Sequence, residues 1–527
     1  MSVILASERV MNLAEFLSQT RRRDPDGLAL VWGGLRLTWA ALDARVSALA
    51  LHLAQDHGVE PGDRLLVQSP NCNQLFELMF ACFRLGAVYV PVNFRLMPQD
   101  VAKLAQSSGA VGFVHHGDFA DHATACREAA PDLRFSIELN GQDAGLEAGI
   151  TAHLGNACPN APVLRDTPCW LFYTSGTTGL PKGAILTHGQ MAFVINNHLC
   201  DLMPGLRHGE TALVVAPLSH GAGVHHLAMV ARGVTSVLPE SPRLDAAEIW
   251  QLIAEWRVVT MFTVPTILKM IVEADPDRTF DGSALRFVIY AGAPMYRADQ
   301  IRALDRLGPV LVQYYGLGEV TGAITVLPPH LHSTGPDFRT GTCGLPRTGM
   351  LIEVQDALGQ TLPPGETGEI CVIGPAVVAG YHDNPAATDA AFRDGWFRTG
   401  DLGHMDAEGY LYLTDRASDM FISGGSNIYP REIEEKILAL DHVAECAVLG
   451  VPDARWGEAG FAIVVMRPGV APDEAALRAA LAGSLASYKL PRHIRFFEAL
   501  PKTGYGKISK KDLRQELRRR GFLPEDQ

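Results

Sequence analysis

The sequence predicts an α/β protein: a large N-terminal domain of α/β sheets that includes a small β-rich subdomain, followed by a small α+β C-terminal domain. Three observations carry this. The chain has 527 residues, more than one hydrophobic core usually organises. Short apolar runs alternate with segments of helical period through most of its length, the pattern of parallel strands joined by helices. Beyond about Thr340 the texture turns to short strands broken by Gly and Pro, and from Arg416 a compact mixed unit begins.

In chain order, Arg64–Gln68 reads as a short strand and Asn73–Leu85 as an amphipathic helix. Residues 212–216, 258–263, 287–290 and 310–313 are apolar runs bounded by Gly, Pro or Ser, hence strands, with helices over 246–256 and 265–274 between them. The longest stretch without Asp, Glu, Lys or Arg is 211–231. Its histidines, glycines and Pro217 predict a buried strand followed by a polar loop rather than a membrane span. Residues 354–356, 369–373 and 410–413 are the strands of the β-rich subdomain, about 340–415.

Pro430 stands at a helix start, with Glu432, Glu434 and Glu435 in the first turns and Ile433, Ile437 and Leu438 on one face. Strands at 444–450 and 461–466, a helix near 473–485, and a last strand and helix complete the C-terminal unit. The boundary falls at Asp415–Ser418, dividing the chain into 1–415 and 416–527.

Apolar residues make up 47% and charged residues 20%, a globular rather than disordered balance. A net charge of −13 without a long basic run argues against nucleic acid as a partner, and Arg518–Arg520 read as a solvated helix end. The nine cysteines are scattered, odd in number and without a CxxC pair. That excludes a disulfide framework or zinc site and fits a reducing, cytoplasmic compartment. The N-terminus has no basic segment followed by an apolar run, so no signal peptide is expected. A homodimer is the default expectation for assembly.

Four segments carry chemistry. Tyr173-Thr-Ser-Gly-Thr-Thr-Gly-Leu-Pro-Lys-Gly183 follows an apolar strand and crowds hydroxyls and glycines around one lysine. Glycines let backbone N–H groups approach a phosphate, hydroxyls add donors and Lys182 adds charge. Its order differs from the GxxxxGK[ST] loop of common NTPases. Gln313-Tyr-Tyr-Gly-Leu-Gly-Glu319 places a carboxylate just beyond a strand's carboxyl end, where α/β sheets bind ligands; it could hold Mg²⁺ or simply cap the next helix. Trp396-Phe-Arg-Thr-Gly-Asp401 offers an aspartate able to grip two ribose hydroxyls or to close an Asx-turn. Pro501-Lys-Thr-Gly-Tyr-Gly-Lys507 is a glycine-flanked loop lysine.

In this order and spacing, the four segments resemble the adenylate-forming enzyme superfamily, specifically its acyl-CoA synthetase branch of fatty and aryl acid–CoA ligases. The resemblance runs from Leu37-Thr-Trp-Ala-Ala-Leu42 to Leu513. It implies ATP, Mg²⁺ and coenzyme A as reactants with a small carboxylic acid, and a mobile C-terminal domain hinged at Ser418. Thr174, Ser175, Gly176, Thr177, Thr178, Gly179 and Lys182 would wrap the β- and γ-phosphates. Gly292, Ala293, Pro294 and Gln313, with Tyr315 and Gly316, would surround the nucleotide. Gly318 stands nearest the α-phosphate, Asp401 at the ribose, Arg416 as a further contact and Glu319 as the metal ligand. Lys507 would bridge the acid's carboxylate and the α-phosphate, and His220 would gate an acyl site with Gly221, Ala222, Gly292, Tyr315 and Gly316. Gly424, Gly425, Trp456 and Tyr488 would meet CoA.

Three positions depart from the family pattern. Gly318 replaces a hydroxyl residue, Ser418 an Asp or Lys, and Asp415 a common Gly. The acyl site, lined by residues 220–226, 291–292 and 315–316, is mostly small and apolar without an obvious cation, which suits a fatty or an aromatic monocarboxylate. No acid stands at Ser219-His220, where amino-acid-activating relatives usually carry one. The alternatives are a ligase that loads a carrier-protein phosphopantetheine and a non-catalytic nucleotide-binding scaffold.

Overall fold

The structure is a computed structural model. It describes residues 10–141, 145–174, 181–241, 243–275, 279–293, 295–333, 335, 339, 341–416, 419–423, 426–453, 455–482, 484–486, 489–502 and 508–523, with the backbone alone for 415, 416, 426 and 427. The first sheet orders its strands Phe135–Glu138, Gly112–His115, Arg64–Gln68, Val88–Val92, Pro168–Thr174 and Lys182–Thr187. All neighbours are parallel except the last pair, an antiparallel hairpin. Val88–Val92 is buried at every residue, as a parallel strand covered on both faces must be.

The second sheet is parallel through Leu28–Trp32, Thr235–Leu238, Thr211–Val214, Thr260–Thr263, Phe287–Tyr290 and Leu311–Tyr315. It then turns antiparallel at Thr325–Leu327 and Thr342–Pro346. Leu411–Arg416, Trp396–Met405, Gly368–Ile373 and Leu351–Gln355 prolong the same ladder. The β-rich region is therefore an antiparallel extension of the large sheet, which brings residues near 400 beside the carboxyl ends of the parallel strands.

Residues 211–231 differ from the expectation of a strand and a polar loop. After Thr211–Val214 and a short turn, Gly221–Arg232 is a helix packed into the core. His225 and His226 are each 4% exposed. An imidazole that stays neutral is tolerated in an apolar layer, so the histidines did not mark solvent.

In the C-terminal unit, Val443–Asp453 and Gly457–Met466 form a long hairpin. Alternate residues serve two cores: Cys446 and Val448 pack with Ile433, Ile437 and Leu477, while Ala447, Leu449 and Val451 pack with Leu513 and Leu517. Helices Pro430–Leu438 and Glu474–Ala482 cover one face and Lys510–Arg519 the other. The unit meets the large domain where Lys269 Nζ donates to the Ala444 carbonyl at 3.0 Å and Arg431 to the Leu413 carbonyl at 3.2 Å. Among the described residues no helix is long and apolar enough to cross a membrane. All nine cysteines are free thiols.

Candidate active site

The strand Leu311–Tyr315 ends in a tight reversal. A side chain on Gly316 would come within 2.5 Å of the Gly322 backbone, so only glycine lets the chain double back here. The 3₁₀ turn Gly318–Val320 that follows presents Glu319, which is 8% exposed. Glu319 Oε1 accepts the Thr174 hydroxyl at 2.9 Å and the Tyr381 hydroxyl at 3.1 Å. Thr174 closes the strand Pro168–Thr174 and lies opposite Lys182, the first residue of its hairpin partner. The two ends of the hydroxyl-rich loop thus lie side by side, with Thr174 on the carboxylate. Lys182 Nζ stands 5.2 Å from the centre of the Tyr381 ring. Burial, and then the Glu319 charge, push the Tyr381 phenol well up, so it remains a donor.

Asp401 lies on Trp396–Met405, opposite Arg416 in register, and is 6% exposed. Its Oδ2 accepts the Tyr315 hydroxyl at 2.7 Å, and its N–H donates to Thr399 Oγ1 at 3.1 Å. Tyr315, expected beside the nucleotide and the acid, therefore has its hydroxyl committed to orienting Asp401. Burial and the Asp401 charge hold that phenol protonated. Gln313, expected at the adenine, accepts the Tyr290 hydroxyl at 3.0 Å on the adjoining strand. Gly292 and Ala293 follow that strand, with Gly292 at φ 81°.

Gly318 has a steric reason in this chain. A Cβ there would lie 2.6 Å from two carbons of the Phe172 ring and 2.9 Å from Thr174 Cγ2. Phe172 fills the place a side chain would take, and its ring meets His220 edge-on at 4.7 Å. His220 precedes the helix Gly221–Arg232, so Gly221 and Ala222 form its first turn. Trp456 stands on the C-terminal unit, 39% exposed, with Arg455 4.9 Å and Arg492 6.0 Å from its ring centre.

Ser175, Gly176, Thr177, Thr178, Gly179, Pro294, Ser418, Gly424, Gly425, Tyr488 and Lys507, and the side chain of Arg416, lie outside the described residues. Sequence reasoning missed Tyr381 and Phe172. Tyr381 sits in an irregular segment, held beside Glu319 by backbone contacts far away in the chain: a bridge to Ala184, and the Val378 N–H donating to the Glu319 carbonyl at 2.7 Å. Phe172 looked like any apolar strand residue.

A buried carboxylate at the rim of a parallel sheet, a glycine- and hydroxyl-rich loop ending in lysine, and a second buried aspartate on the adjoining ladder define a nucleotide-handling enzyme of the adenylate-forming kind. Family models for the AMP-binding enzyme and the AMP-binding enzyme C-terminal domain match residues 17–382 and 432–507. The chain belongs to this AMP-binding enzyme family, as an AMP-forming acid–thiol ligase.

It is 38% identical over 511 residues to a feruloyl-CoA synthase of Amycolatopsis sp, covering 97% of this chain and 100% of the relative. It is 32% identical over 514 residues to the fatty acid–[acyl-carrier-protein] ligase ScoC of Streptomyces coeruleorubidus, covering 97% of each. The ATP-bound MatB of Rhodopseudomonas palustris superimposes with a TM-score of 0.86 at 29% identity, over 96% of this chain and 99% of that one.

Proposed function

We propose that the protein joins a fatty or aromatic monocarboxylic acid to ATP as an acyl-adenylate, releasing pyrophosphate, and then passes the acyl group to CoA, releasing AMP. The observation that carries this reading is that Thr174 donates to the buried Glu319 and stands opposite Lys182 across the hairpin, so that the two ends of the hydroxyl-rich loop lie side by side next to that carboxylate.

In the first step the acid's carboxylate oxygen attacks the α-phosphorus and the bond to the bridging oxygen of pyrophosphate breaks. Two anions must meet, and like charges 4 Å apart repel by about 4 kcal/mol at an effective dielectric of 20. Lys182 and the loop donors would draw charge toward the leaving group, while Lys507 would bridge the carboxylate and the α-phosphate. Asp401, oriented by Tyr315, accepts the ribose hydroxyls and fixes the nucleotide. Glu319 and the hydroxyl oxygens of Thr174 and Tyr381 are hard donors of the type Mg²⁺ prefers, and Glu319 is the residue that would hold the ion. When bound, the ion would neutralise phosphate charge.

In the second step the thiol attacks the adenylate carbonyl, a carbon–sulfur bond forms and AMP leaves. Division of the chain at 415–418, with Ser418 as hinge, would let the Lys507 loop withdraw and Gly424-Gly425 take its place. Trp456, flanked by Arg455 and Arg492, supports a contact with the adenine and phosphates of CoA, to which Tyr488 would add. The free thiols support a reducing, cytoplasmic setting, and a homodimer is the assembly we expect.

The second reading, transfer to a carrier-protein phosphopantetheine, is favoured by the likeness to ScoC. Offering CoA and a carrier protein with a free phosphopantetheine thiol in parallel separates the two. The primary test is acid-dependent exchange of labelled pyrophosphate into ATP with Mg²⁺ present. Absence of exchange across a broad panel of acids would remove the proposal.

A further inference from the structure

Apart from the strands that carry Glu319 and Asp401, two histidines and an aspartate near the N-terminus converge on one point. The helix Trp39–Leu51 runs on into a π turn, His52–Asp56, a widened turn of the kind that often carries functional groups. His52 Nδ1 meets Asp56 Oδ2, four residues on, at 2.7 Å. His153 closes the helix Leu146–His153 and brings its Nε2 to the same oxygen at 2.9 Å, from 97 residues away in the chain.

The local packing fits this approach. A Cβ on Gly149 would lie 2.4 Å from three atoms of the His52 ring, so any other residue one turn before His153 would push that ring away. His57 meets the same ring edge-on at 4.7 Å between centres. The imidazoles of His52 and His153 are only 12% and 14% exposed, whereas the Asp56 side chain is 46% exposed. The nitrogens are therefore sheltered, and the cluster opens to solvent at its carboxylate.

One nitrogen or oxygen from each residue lies within 4.8 Å of the other two. Ligands about 2.0–2.2 Å from one zinc-sized ion stand at most about 4.4 Å apart, so closure by a few tenths of an ångström suffices. In the absence of an ion the imidazole N–H groups donate to the carboxylate and form a hydrogen-bonded clasp. If each proton moves to the other nitrogen of its ring, the facing nitrogen offers a lone pair and the histidine stays neutral. No proton leaves the protein, and Asp56 brings one negative charge to the cation.

We propose that His52, Asp56 and His153 form a site for a divalent cation of the zinc class, which pins the helix Leu146–His153 to the end of Trp39–Leu51 and leaves its remaining positions to water. Two imidazoles and a carboxylate suit zinc and its late first-row neighbours, whereas magnesium prefers an all-oxygen shell. The site is thereby separate in chemistry, as in position, from Glu319 and its hydroxyl neighbours. The scattered cysteines speak against a thiolate zinc site, and this one uses no thiolate.

The test is equilibrium dialysis of the full chain, without nucleotide, against Zn²⁺ and Co²⁺, for the wild type, Asp56→Asn and His153→Gln. The wild type is expected to hold one more equivalent of Zn²⁺ than either variant, whose affinity at this site should fall at least about tenfold. The Co²⁺ bound there should absorb in the visible without a near-ultraviolet thiolate band. In hydrogen exchange, Zn²⁺ should slow the amides of 146–153 in the wild type and leave them unchanged in the variants. Asparagine keeps an acceptor oxygen at the half-exposed position 56, so that variant preserves the clasp while losing the charge. No Zn²⁺ bound by the wild type, or unchanged exchange at 146–153, overturns the site whether or not a variant folds. Equal binding by all three proteins, or a thiolate band on the bound Co²⁺, also overturns it and leaves only the clasp. Equal protection by Mg²⁺ would overturn the assigned class of cation.

Discussion

Giving position 318 the threonine of the family pattern should impair this enzyme. The added Cβ would press on the Phe172 ring at 2.6 Å and on Thr174 Cγ2 at 2.9 Å, where ordinary contact begins at 3.4 Å. Phe172 is 5% exposed, with Trp170 at 6.2 Å and His220 at 4.7 Å between ring centres. The ring has nowhere free to go, and overpacking of this kind costs about 1–3 kcal/mol. A new neutral hydrogen bond to phosphate would return about 0.5–1.5 kcal/mol. The net loss of about 1 kcal/mol corresponds to roughly fivefold in kcat/KM for ATP.

Phe172→Leu removes the obstructing ring, so the double variant should recover most of that loss, with a coupling of about 1 kcal/mol. Steady-state pyrophosphate release from the two single variants and the double variant measures the cycle. If Gly318→Thr matched the parent, or if the two changes simply added, Phe172 would not be the reason for glycine at 318.

Three further outcomes are expected. Lys507→Ala should lower acyl-adenylate formation about 10²–10³-fold while sparing thioester formation from a supplied adenylate; equal damage to both half-reactions would reject the proposed division of labour. Tyr315→Phe removes a donor to a buried carboxylate and should raise the KM for ATP about tenfold with less effect on kcat, and an unchanged KM would detach Asp401 from the ribose. Burial holds His188 and His332 down at about 4, and Nδ1 of His188 accepts the Leu13 N–H at 3.2 Å. The unfolded chain protonates them near pH 6.5, the folded one only near 4. Stability should therefore be level above pH 6.5 and fall toward pH 4 by up to about 1.4 kcal/mol per unit for each histidine. His188→Asn should flatten that slope in melting temperatures between pH 7 and 4.5; an identical slope would place the acid sensitivity elsewhere.

What the sequence made legible follows from how local each signal is. Asn73–Leu85 and Phe287–Tyr290 match the expected bounds because an apolar period flanked by breakers is written within a few residues. Glu319 and Asp401 stood out because each closes a short motif, Glu319 just beyond the strand Leu311–Tyr315 and Asp401 within the strand Trp396–Met405. The helix at 221–232 was not, because two histidines and two glycines mimic a loop, and only tertiary burial turns the histidines inward.

Tyr381, Phe172 and His153 were beyond reach for another reason. Each acts through a partner far away in the chain: 62 residues for Tyr381 and Glu319, 97 for His153 and Asp56. Such pairs leave no mark at either end. Substitution at one member, as from threonine to glycine at 318, becomes intelligible only when the ring that occupies the vacated space is seen. Departures from a family motif are for that reason better read as pairs than as losses, and the Phe172–Gly318 cycle is the direct measure of one such pair.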